Sequence, residues 1–487
     1  MHERPRGSTW LRIGVPASAW LGYIVLGLLL FWRHVFSSDE GITLNAAWNV
    51  FRGLVPYRDF FEFYTPGTFY LFGALFRLLG PTYLVARVFA VLLLLSSGWA
   101  LTQLARPFLT GWRLRAVPFL WLALFSYYPL INHNPVSLFA AVWAWLSLQV
   151  ALQRRHVGAA LIAGAAAGAA TWMLQTKGLA VAAAAVVVLL TVSRTPKLLP
   201  PYLLGYAASL LPLLAWPIPL LWHSLVQFPL TYYQGVGDGI SYFVLAIALH
   251  LLLGLGLWLK RAPSQVKSLW WLGAMLLSST ASLPDAHHII INSFPAVPLT
   301  IWLLPRVTAW PRHAGWREWL NLLMPVLPAA YLLVLTTTVL SGLPQSVVAV
   351  ARQDAGEWLR LHRQDVAALV GAIHAYVPPD EEIYSGPFLP NFYFEARRSS
   401  AIRFGHLLTS LHPPEFFAAA AADLRRSPPR LAIVNYSQVA RFSYRRDNPV
   451  DQYLAEAYDV LLQHGDVTVL VRRGIPPPPP SGAGDQR

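Results

Sequence analysis

The sequence predicts an α-helical membrane protein of about eleven transmembrane helices, followed by a small α/β domain outside the membrane. Its 487 residues are 55% hydrophobic and only 12% charged, whereas a soluble domain carries about twice that charged fraction. Long runs without Asp, Glu, Lys or Arg recur up to about residue 340. Beyond them charged residues return, and helix-like and strand-like patterns alternate.

The composition also limits the chemistry. The absence of cysteine excludes disulfides, thiolate metal sites and cysteine nucleophiles. The net charge of +14 would suit nucleic acid, but the basic residues form short clusters between apolar runs rather than one stripe. The expected partner is therefore the lipid bilayer and not nucleic acid. No signal-peptide cleavage pattern follows the first apolar run, so we expect that helix to be retained.

The uncharged runs show where membrane-spanning helices fit. A bilayer core about 30 Å thick needs about 20 apolar residues per helix. The polar stretch YYPLINHNP divides one run into two helices, and the second span must begin near Tyr83 and include Arg87. The runs are 13–32, 88–105, 116–153, 156–176, 178–193, 198–237, 239–259, 268–284, 286–305 and 319–351.

Basic residues indicate the orientation of these helices. Alternate connections hold clusters of arginine and lysine, whereas the opposite short connections together hold only Lys177. By the positive-inside rule, the N-terminus lies in the cytoplasm and the C-terminal region lies outside. This asymmetry favours an odd number of spans.

The chain therefore divides into three predicted parts. Residues 1–340 form the transmembrane domain, in which 33–82 is the first exterior loop with interfacial helices. Residues 341–474 form the exterior α/β domain, and the proline-rich tail 475–487 is disordered. Within the α/β domain we predict helices at 365–377, 413–429 and 449–465, and strands at 381–386, 430–436 and 466–473.

The first exterior loop gathers acidic residues, which are scarce in this chain. Asp39 and Glu40 lie within a turn of the outer end of the first helix. A carboxylate half withdrawn from water there tends to have a raised pKa, which suits it to proton abstraction.

A second acidic pair, Asp59 and Glu62, lies further along the loop. The two share one face if RDFFEFY is helical, and the aromatic residues around them predict an interfacial helix that Pro66-Gly67 ends. The alternative for both acidic pairs is that these carboxylates are solvated loop charges that pair with Arg52 and Arg58.

This loop resembles the GT-C glycosyltransferases, the polytopic enzymes related to protein O-mannosyltransferases and to bacterial aminoarabinose and galacturonosyl transferases. The pattern is an acidic pair followed by A-x-x-x-x-x-G-x-x-P-Y-x-D-F, with TPG after it. NHNPVSLFAAVWAWL, TKGL and PDAHHIIINSFPAV also resemble stretches of bacterial members, and the resemblance extends to about residue 305. The matching residues are Asp39-Glu40, Ala47, Gly53, Pro56-Tyr57-Arg58-Asp59-Phe60 and Tyr64-Thr65-Pro66-Gly67.

The resemblance implies a bacterial cytoplasmic-membrane enzyme that takes a sugar from a polyprenyl-phosphate carrier and passes it, with inversion, to an acceptor on the outer face. It implies an acidic general base at the exit of the first helix, here Asp39 by preference, with Glu40 beside it. The loop residues Tyr57, Arg58, Asp59 and Glu62 are then expected to bind substrate. No cofactor is implied with certainty, although some distant relatives use a divalent cation. The acceptor, whether lipid A, polysaccharide, glycolipid or protein, stays open.

Two basic residues are candidates for binding the carrier phosphate. Lys177 stands where a headgroup phosphate would lie, and its alternative role is that of a lysine reaching bulk lipid phosphate. Arg87 lies deeper in the second span, where a charge faces the protein interior. It is predicted either to bind phosphate or to pair with Asp59 or Glu62.

Asp285 and His288 stand one helical turn apart at the outer membrane edge, with His287 between them. Asp285 could orient His288 toward the substrate, the pair could form half of a metal site, or Asp285 could only cap the following helix.

Two further segments on the predicted exterior side are candidates for contact with the substrate. Asn132 and His133 could bind sugar hydroxyls, although Asn and Pro are common in turns whether or not the turn has a function. The polar loop 223–241 is a candidate cover for the site.

The chain as a whole has one functional alternative, a transporter or flippase of a lipid-linked substrate. The sequence shows no two matching halves of the kind that is common in transporters.

Overall fold

The computed structural model describes residues 15–126, 128–233, 239–281, 284–304, 361 and 363–476. Within these ranges the chain is mostly helical, and a small five-stranded sheet forms near the C-terminus. The last predicted span at 319–351, the basic clusters at either end of the transmembrane part and most of the proline-rich tail lie outside the described residues.

Each of the first ten predicted spans contains a helix, as expected for apolar segments that must satisfy their backbone hydrogen bonds internally. In the described part of the chain, five helices are long and apolar enough to cross a membrane. The total of eleven stays a prediction. The helices are α1 (Ala17–Phe31), α2 (Ser38–Phe51), α3 (Gly67–Leu79), α4 (Tyr83–Ala105), α5 (Gly111–Ser126), α6 (His133–Arg154), α7 (Val157–Met173), α8 (Gln175–Val187), α9 (Leu199–Leu210), α10 (Ile218–Trp222), α11 (Phe228–Tyr232), α12 (Ile240–Leu259), α13 (Ser264–Ser278), α14 (Ala286–Asn292), α15 (Ala296–Leu303), α16 (Gln364–Tyr376), α17 (Asn391–Glu395), α18 (Pro414–Arg426) and α19 (Pro449–Ala457).

Close contact between α7 and α8 fixes the start of α8. A Cβ on Gly178 would lie 2.1 Å from the Cα of Thr171, so only glycine permits this approach. The contact determines the position of the neighbouring Lys177.

The first exterior loop differs from its prediction. Residues 55–66 are not helical; they form a tight turn in which Tyr57 has φ 69° and its N–H donates to the Phe60 carbonyl at 2.8 Å. The segment Pro66-Gly67 precedes a helix, α3, instead of ending one. The rings of Phe60 and Phe63 are buried in protein and are not exposed on the surface as an interfacial helix would require.

The predicted loop at 223–241 is also partly helical. Residues 223–227 form a π-helical turn that leads into α11, and Gln234 and Asp238 lie outside the described residues.

The C-terminal sheet confirms the three predicted strands and adds two more. Its strand order is β2-β1-β3-β5-β4, where β1 is parallel to β2 and β3, and β5 is antiparallel to β3 and β4. The single helix predicted at 449–465 is wrong in its second half, which forms β4. Gly465, with φ 58°, turns β4 back into β5, so the apolar residues pair as a hairpin. The strands are β1 (Glu382–Gly386), β2 (Ser399–Ser400), β3 (Leu431–Val434), β4 (Tyr458–His464) and β5 (Val467–Arg472).

The region around this sheet contacts the start of α2. The Ser38 hydroxyl donates to the Phe388 carbonyl, and the Asn391 amide donates to the Ser37 carbonyl at 2.9 Å. A Cβ on Gly41 would lie 2.6 Å from the Asn391 side chain. The C-terminal region therefore covers the helix end that carries Asp39 and Glu40.

Candidate active site

Asp39 and Glu40 occupy successive positions at the start of α2, and successive helical residues point about 100° apart. One side chain can therefore enter the protein core while the other faces a different environment. The contacts of the two carboxylates show that this is the case.

Glu40 is fully buried, and both of its carboxylate oxygens accept hydrogen bonds. Its Oε1 accepts from Arg87 Nη2 at 2.6 Å and from the Ile131 N–H at 2.7 Å, and its Oε2 accepts from the Tyr83 hydroxyl at 2.9 Å. Burial raises the pKa of Glu40, whereas Arg87 and these donors lower it. Arg87 thus pairs with Glu40, and the predicted pairing of Arg87 with Asp59 or Glu62 is wrong.

Asp39 has few hydrogen bonds by comparison. The Tyr128 hydroxyl lies 3.5 Å from Asp39 Oδ2, and the Asn132 amide donates to the Asp39 backbone carbonyl at 3.3 Å. The side chain is half-buried. Burial raises the pKa of Asp39, while the positive charges of His288 and Arg441 lower it. Of the two adjacent carboxylates, Asp39 is the one with oxygens available to a substrate.

Asp285 caps a helix, as predicted, and also contacts His288. Its Oδ1 caps α14 by accepting from the His288 N–H at 2.8 Å, and its Oδ2 lies 2.5 Å from His288 Nδ1. The cap fixes the carboxylate, and the carboxylate in turn fixes the imidazole. His287 is more distant, with Nδ1 4.0 Å from Asp285 Oδ1, and half of its side chain is exposed.

A cavity of about 70 Å³ lies beside this pair. Lys177 enters it from the first turn of α8, is 2% exposed, and donates to the Ser279 hydroxyl at 3.0 Å. Across the described ranges no carboxylate lies within ion-pair distance of Lys177. The other lining residues include Tyr64, His133, Asn134, Gln175, Thr176, Tyr233, Thr280 and His288.

His133 forms one wall of the cavity. Its ring stacks on Tyr64 with 3.8 Å between centroids, and its Nε2 lies 3.2 Å from the Asn134 amide. Its Nδ1 is buried and has no hydrogen-bond partner. Asn132 caps α6 by accepting from the Asn134 N–H at 2.8 Å, so its side chain serves the turn and also contacts Asp39.

The second predicted acidic pair does not line this cavity. Asp59 pairs with Arg58 at 2.8 Å near the surface, as the loop-charge alternative proposed, and both line a polar groove against the C-terminal region. Glu62 is buried, its Oε2 has no partner, and burial raises its pKa to about 8. The Tyr57 hydroxyl donates to the Tyr64 carbonyl at 2.6 Å, which supports the wall of the cavity from behind.

Several residues of the candidate site were not predicted from the sequence. Tyr128 was detectable in principle, because YYPLINHNP is predicted to lie on the same side of the membrane as Asp39. Tyr83, Ser279 and Arg441 carry no local signal, since only tertiary contact brings them to the site. In the part of the chain that the structure describes, no group of three or more His, Cys, Asp or Glu side chains could hold a metal ion.

No family model and no curated protein matches the chain. Solved structures do match. ArnT from Cupriavidus metallidurans bound to undecaprenyl phosphate is 14% identical, with 95% of this chain and 100% of that chain covered and a TM-score of 0.57. The Archaeoglobus fulgidus oligosaccharyltransferase in the apo form is 10% identical, with 93% and 74% covered and a TM-score of 0.52. The same organism's AglB, in complex with an inhibitory peptide and a dolichol-phosphate, is 12% identical, with 94% and 74% covered and a TM-score of 0.50.

At these identities the likeness concerns the fold. Both neighbours belong to the GT-C superfamily, and this chain has that fold. Together with the apolar helices, the fold supports an integral membrane protein.

Proposed function

We propose that this chain is a membrane glycosyltransferase that moves a monosaccharide from a polyprenyl-phosphate carrier to an acceptor hydroxyl, with inversion at the anomeric carbon. The observation that carries the proposal is an available carboxylate, Asp39, which Tyr128 connects to His288 and so to the cavity that holds the buried Lys177. An inverting transfer needs a base on one side of the anomeric carbon and positive charge on the other.

Asp39 acts as the general base. It takes the proton of the acceptor hydroxyl while that oxygen forms a bond to C1 of the sugar. The bond from C1 to the phosphate oxygen breaks, and the polyprenyl phosphate leaves with the electron pair. A phosphate is already a good leaving group, so the reaction needs no strong general acid.

Lys177 and the first turn of α8 bind the departing phosphate. A helix N-terminus directs N–H groups and a partial positive charge toward an anion, and Lys177, which a bound phosphate keeps protonated, adds positive charge in the same cavity. His288, oriented by Asp285, lines the same cavity and is therefore placed to donate to the departing phosphate.

Glu40 is a positioning residue in this proposal. Its contacts to Arg87, Tyr83 and the Ile131 N–H attach α2 to α4 and to the turn before α6. These contacts hold Asp39 at a constant distance from the cavity. His133, stacked on Tyr64, gives the cavity a rigid wall against which a sugar ring can lie.

The two solved relatives support the choice of donor. One is bound to undecaprenyl phosphate and the other to a dolichol-phosphate, both polyprenyl phosphates. The donor sugar and the acceptor are left open here.

Orientation is part of the proposal: the N-terminus cytoplasmic, the α/β domain at 341–474 outside, eleven spans, and a bacterial cytoplasmic membrane. The chain has no cysteine, so single cysteines report location directly. In intact cells with a permeable outer layer, cysteines at the exposed positions Arg58 and Arg445 should react with an impermeant thiol reagent, and one at Lys267 should not. The reverse pattern would overturn the orientation.

The alternative is a transporter or flippase of a lipid-linked substrate. A coupling site for transport is expected near the bilayer centre, whereas Asp39 lies at the start of α2 next to the C-terminal region and Asp285 lies at the start of α14. The arrangement therefore favours transfer over transport.

The Asp39→Asn variant tests the function. A transferase should lose about 10²- to 10⁴-fold in turnover of a polyprenyl-phosphate sugar, because the base is gone. It should still bind undecaprenyl phosphate and unfold at the wild-type temperature. A transporter would keep its rate of lipid translocation in the same variant.

A further inference from the structure

The C-terminal region contributes a short 3₁₀ helix, Ser437–Phe442, to the neighbourhood of Asp39. The Gln438 amide donates to the Ser38 hydroxyl at 2.7 Å, and Ser38 is the residue directly before Asp39. This hydrogen bond joins positions 400 residues apart in the sequence. It places the 3₁₀ helix at the N-terminal end of α2.

Apolar packing fixes the same segment from a second side. Phe442 packs against Phe388 with 5.5 Å between ring centroids. Both belong to one cluster with Ile42, one turn after Asp39, and with Tyr233, which lines the Lys177 cavity. The segment therefore lies next to both the base and the cavity.

Arg441 is the cation of this segment. Its side chain is exposed, and its guanidinium lies 4.6 Å from the centroid of the Phe442 ring. Within the described ranges no carboxylate lies within ion-pair distance of Arg441. Arg441 lies between Gln438 and Phe442, the two residues that hold this segment beside Asp39, and its charge lowers the pKa of Asp39.

The position of Arg441 distinguishes it from Lys177. Lys177 is buried in the first turn of α8, inside the helical part of the chain. Arg441 is exposed and belongs to the C-terminal segment that Gln438 attaches beside Asp39, which leaves it open to an acceptor that approaches the base. An exposed guanidinium supported by an aromatic ring and free of a carboxylate is a typical binding group for a phosphate or carboxylate.

We infer that Arg441 is an acceptor-binding residue and that the acceptor carries an anionic group close to the hydroxyl that receives the sugar. This inference rests on the proposed transfer reaction. It makes the C-terminal region part of the active site: Gln438 attaches the segment to α2, and Arg441 selects the acceptor.

The test uses the absence of cysteine from the chain. The full-length Arg441→Cys variant, in lipid nanodiscs, is assayed for transfer of radiolabelled sugar from a polyprenyl-phosphate donor to an envelope fraction. It is then modified with 2-aminoethyl methanethiosulfonate, which restores a positive charge, or with 2-sulfonatoethyl methanethiosulfonate, which adds a negative one. Arg445→Cys, an exposed arginine on the same stretch of chain, is the matched control.

We expect Arg441→Cys to lower transfer at limiting acceptor about tenfold or more. The cationic adduct should restore most of the loss and the anionic adduct none. The dissociation constant for undecaprenyl phosphate should not change, and Arg445→Cys should behave as wild type. Equal rescue by both adducts, unchanged transfer, or a parallel loss of undecaprenyl phosphate binding would overturn the inference. If wild type transfers no sugar, the proposed function fails. If wild type transfers sugar and the Arg441 variants transfer it equally well, only this inference fails.

Discussion

Arg87 Nη2 lies 2.6 Å from Glu40 Oε1, and both side chains are excluded from solvent, at 2% and 0% exposure. The pair joins a helix of the first exterior loop to a transmembrane helix. Buried ion pairs of this kind add little net stability as a whole, but removal of one partner leaves an uncompensated charge in the interior. The pair therefore enforces the orientation of α2.

We predict that Glu40→Gln lowers the free energy of unfolding by about 3–5 kcal/mol, because Arg87 loses its counter-charge. Thermal unfolding in detergent, followed by scanning fluorimetry, measures the effect. Asp59→Asn, which breaks the exposed pair with Arg58, is the control and should cost at most about 1 kcal/mol. The double variant Glu40→Leu/Arg87→Leu should recover part of the loss. A Glu40→Gln protein as stable as wild type would contradict a structural role for this pair.

Asp285 allows its cap and its contact with His288 to be tested separately. Asparagine caps helices as well as aspartate does but carries no charge. Asp285→Asn should therefore keep wild-type thermal stability and lose about tenfold in transfer rate, the value of one charge-assisted hydrogen bond. Asp285→Ala should lose the same activity and about 1 kcal/mol of stability as well. Equal activity in Asp285→Asn and wild type would show that only the cap matters.

Lys177→Met keeps much of the side-chain volume and removes the charge from the cavity. We expect the dissociation constant for undecaprenyl phosphate to rise at least about tenfold, because a charge-assisted contact to phosphate is lost. The rate at saturating donor should fall less. Lys267→Met, at an exposed position on the predicted cytoplasmic side, is the matched control and should bind as wild type does. Equal affinity in Lys177→Met and wild type would remove Lys177 from the phosphate site.

Glu62 gives a prediction on pH and stability. Its pKa of about 8 in the folded protein lies above the value of 4.5 for an unperturbed glutamate, because the carboxyl is buried without a partner. The folded state therefore binds a proton that the unfolded state releases between these two values. Stability is fully present below about pH 4.5 and declines as pH rises toward 8, by about 1.4 kcal/mol for each pKa unit.

The Glu62→Gln variant replaces the ionisable carboxyl group with an amide that does not titrate. It should therefore show a flatter dependence of unfolding temperature on pH between 5 and 8. It should be more stable than wild type near pH 8. Glu415→Gln, at an exposed position, should keep the wild-type pH dependence. An unchanged slope in Glu62→Gln would mean that Glu62 is ionised in the folded protein.

Much of the helical part could be predicted because its signal is local. An apolar run of sufficient length forms a helix in a bilayer whatever its neighbours are, and a helix is present in each of the first ten predicted spans. The errors occur where two structures satisfy the same local pattern. RDFFEFY is amphipathic enough for an interfacial helix, yet it packs its rings against Phe228, Phe404 and Phe416. YDVLLQH fits the helical pattern of the residues before it, yet it pairs as a strand with β5.

The sequence by itself determined that the chain crosses a membrane, which segments are apolar, and that acidic residues gather after the first helix, because hydropathy and charge belong to each residue alone. Only the tertiary structure decided which of two adjacent carboxylates is available to a substrate. Asp39 and Glu40 are alike in the sequence, and their difference comes from Arg87, Ile131 and Tyr83, which lie 43 to 91 residues away. The same long-range packing brings Gln438, and with it Arg441, to the start of α2. Electrostatic interactions act through distance in space, which a linear sequence does not record.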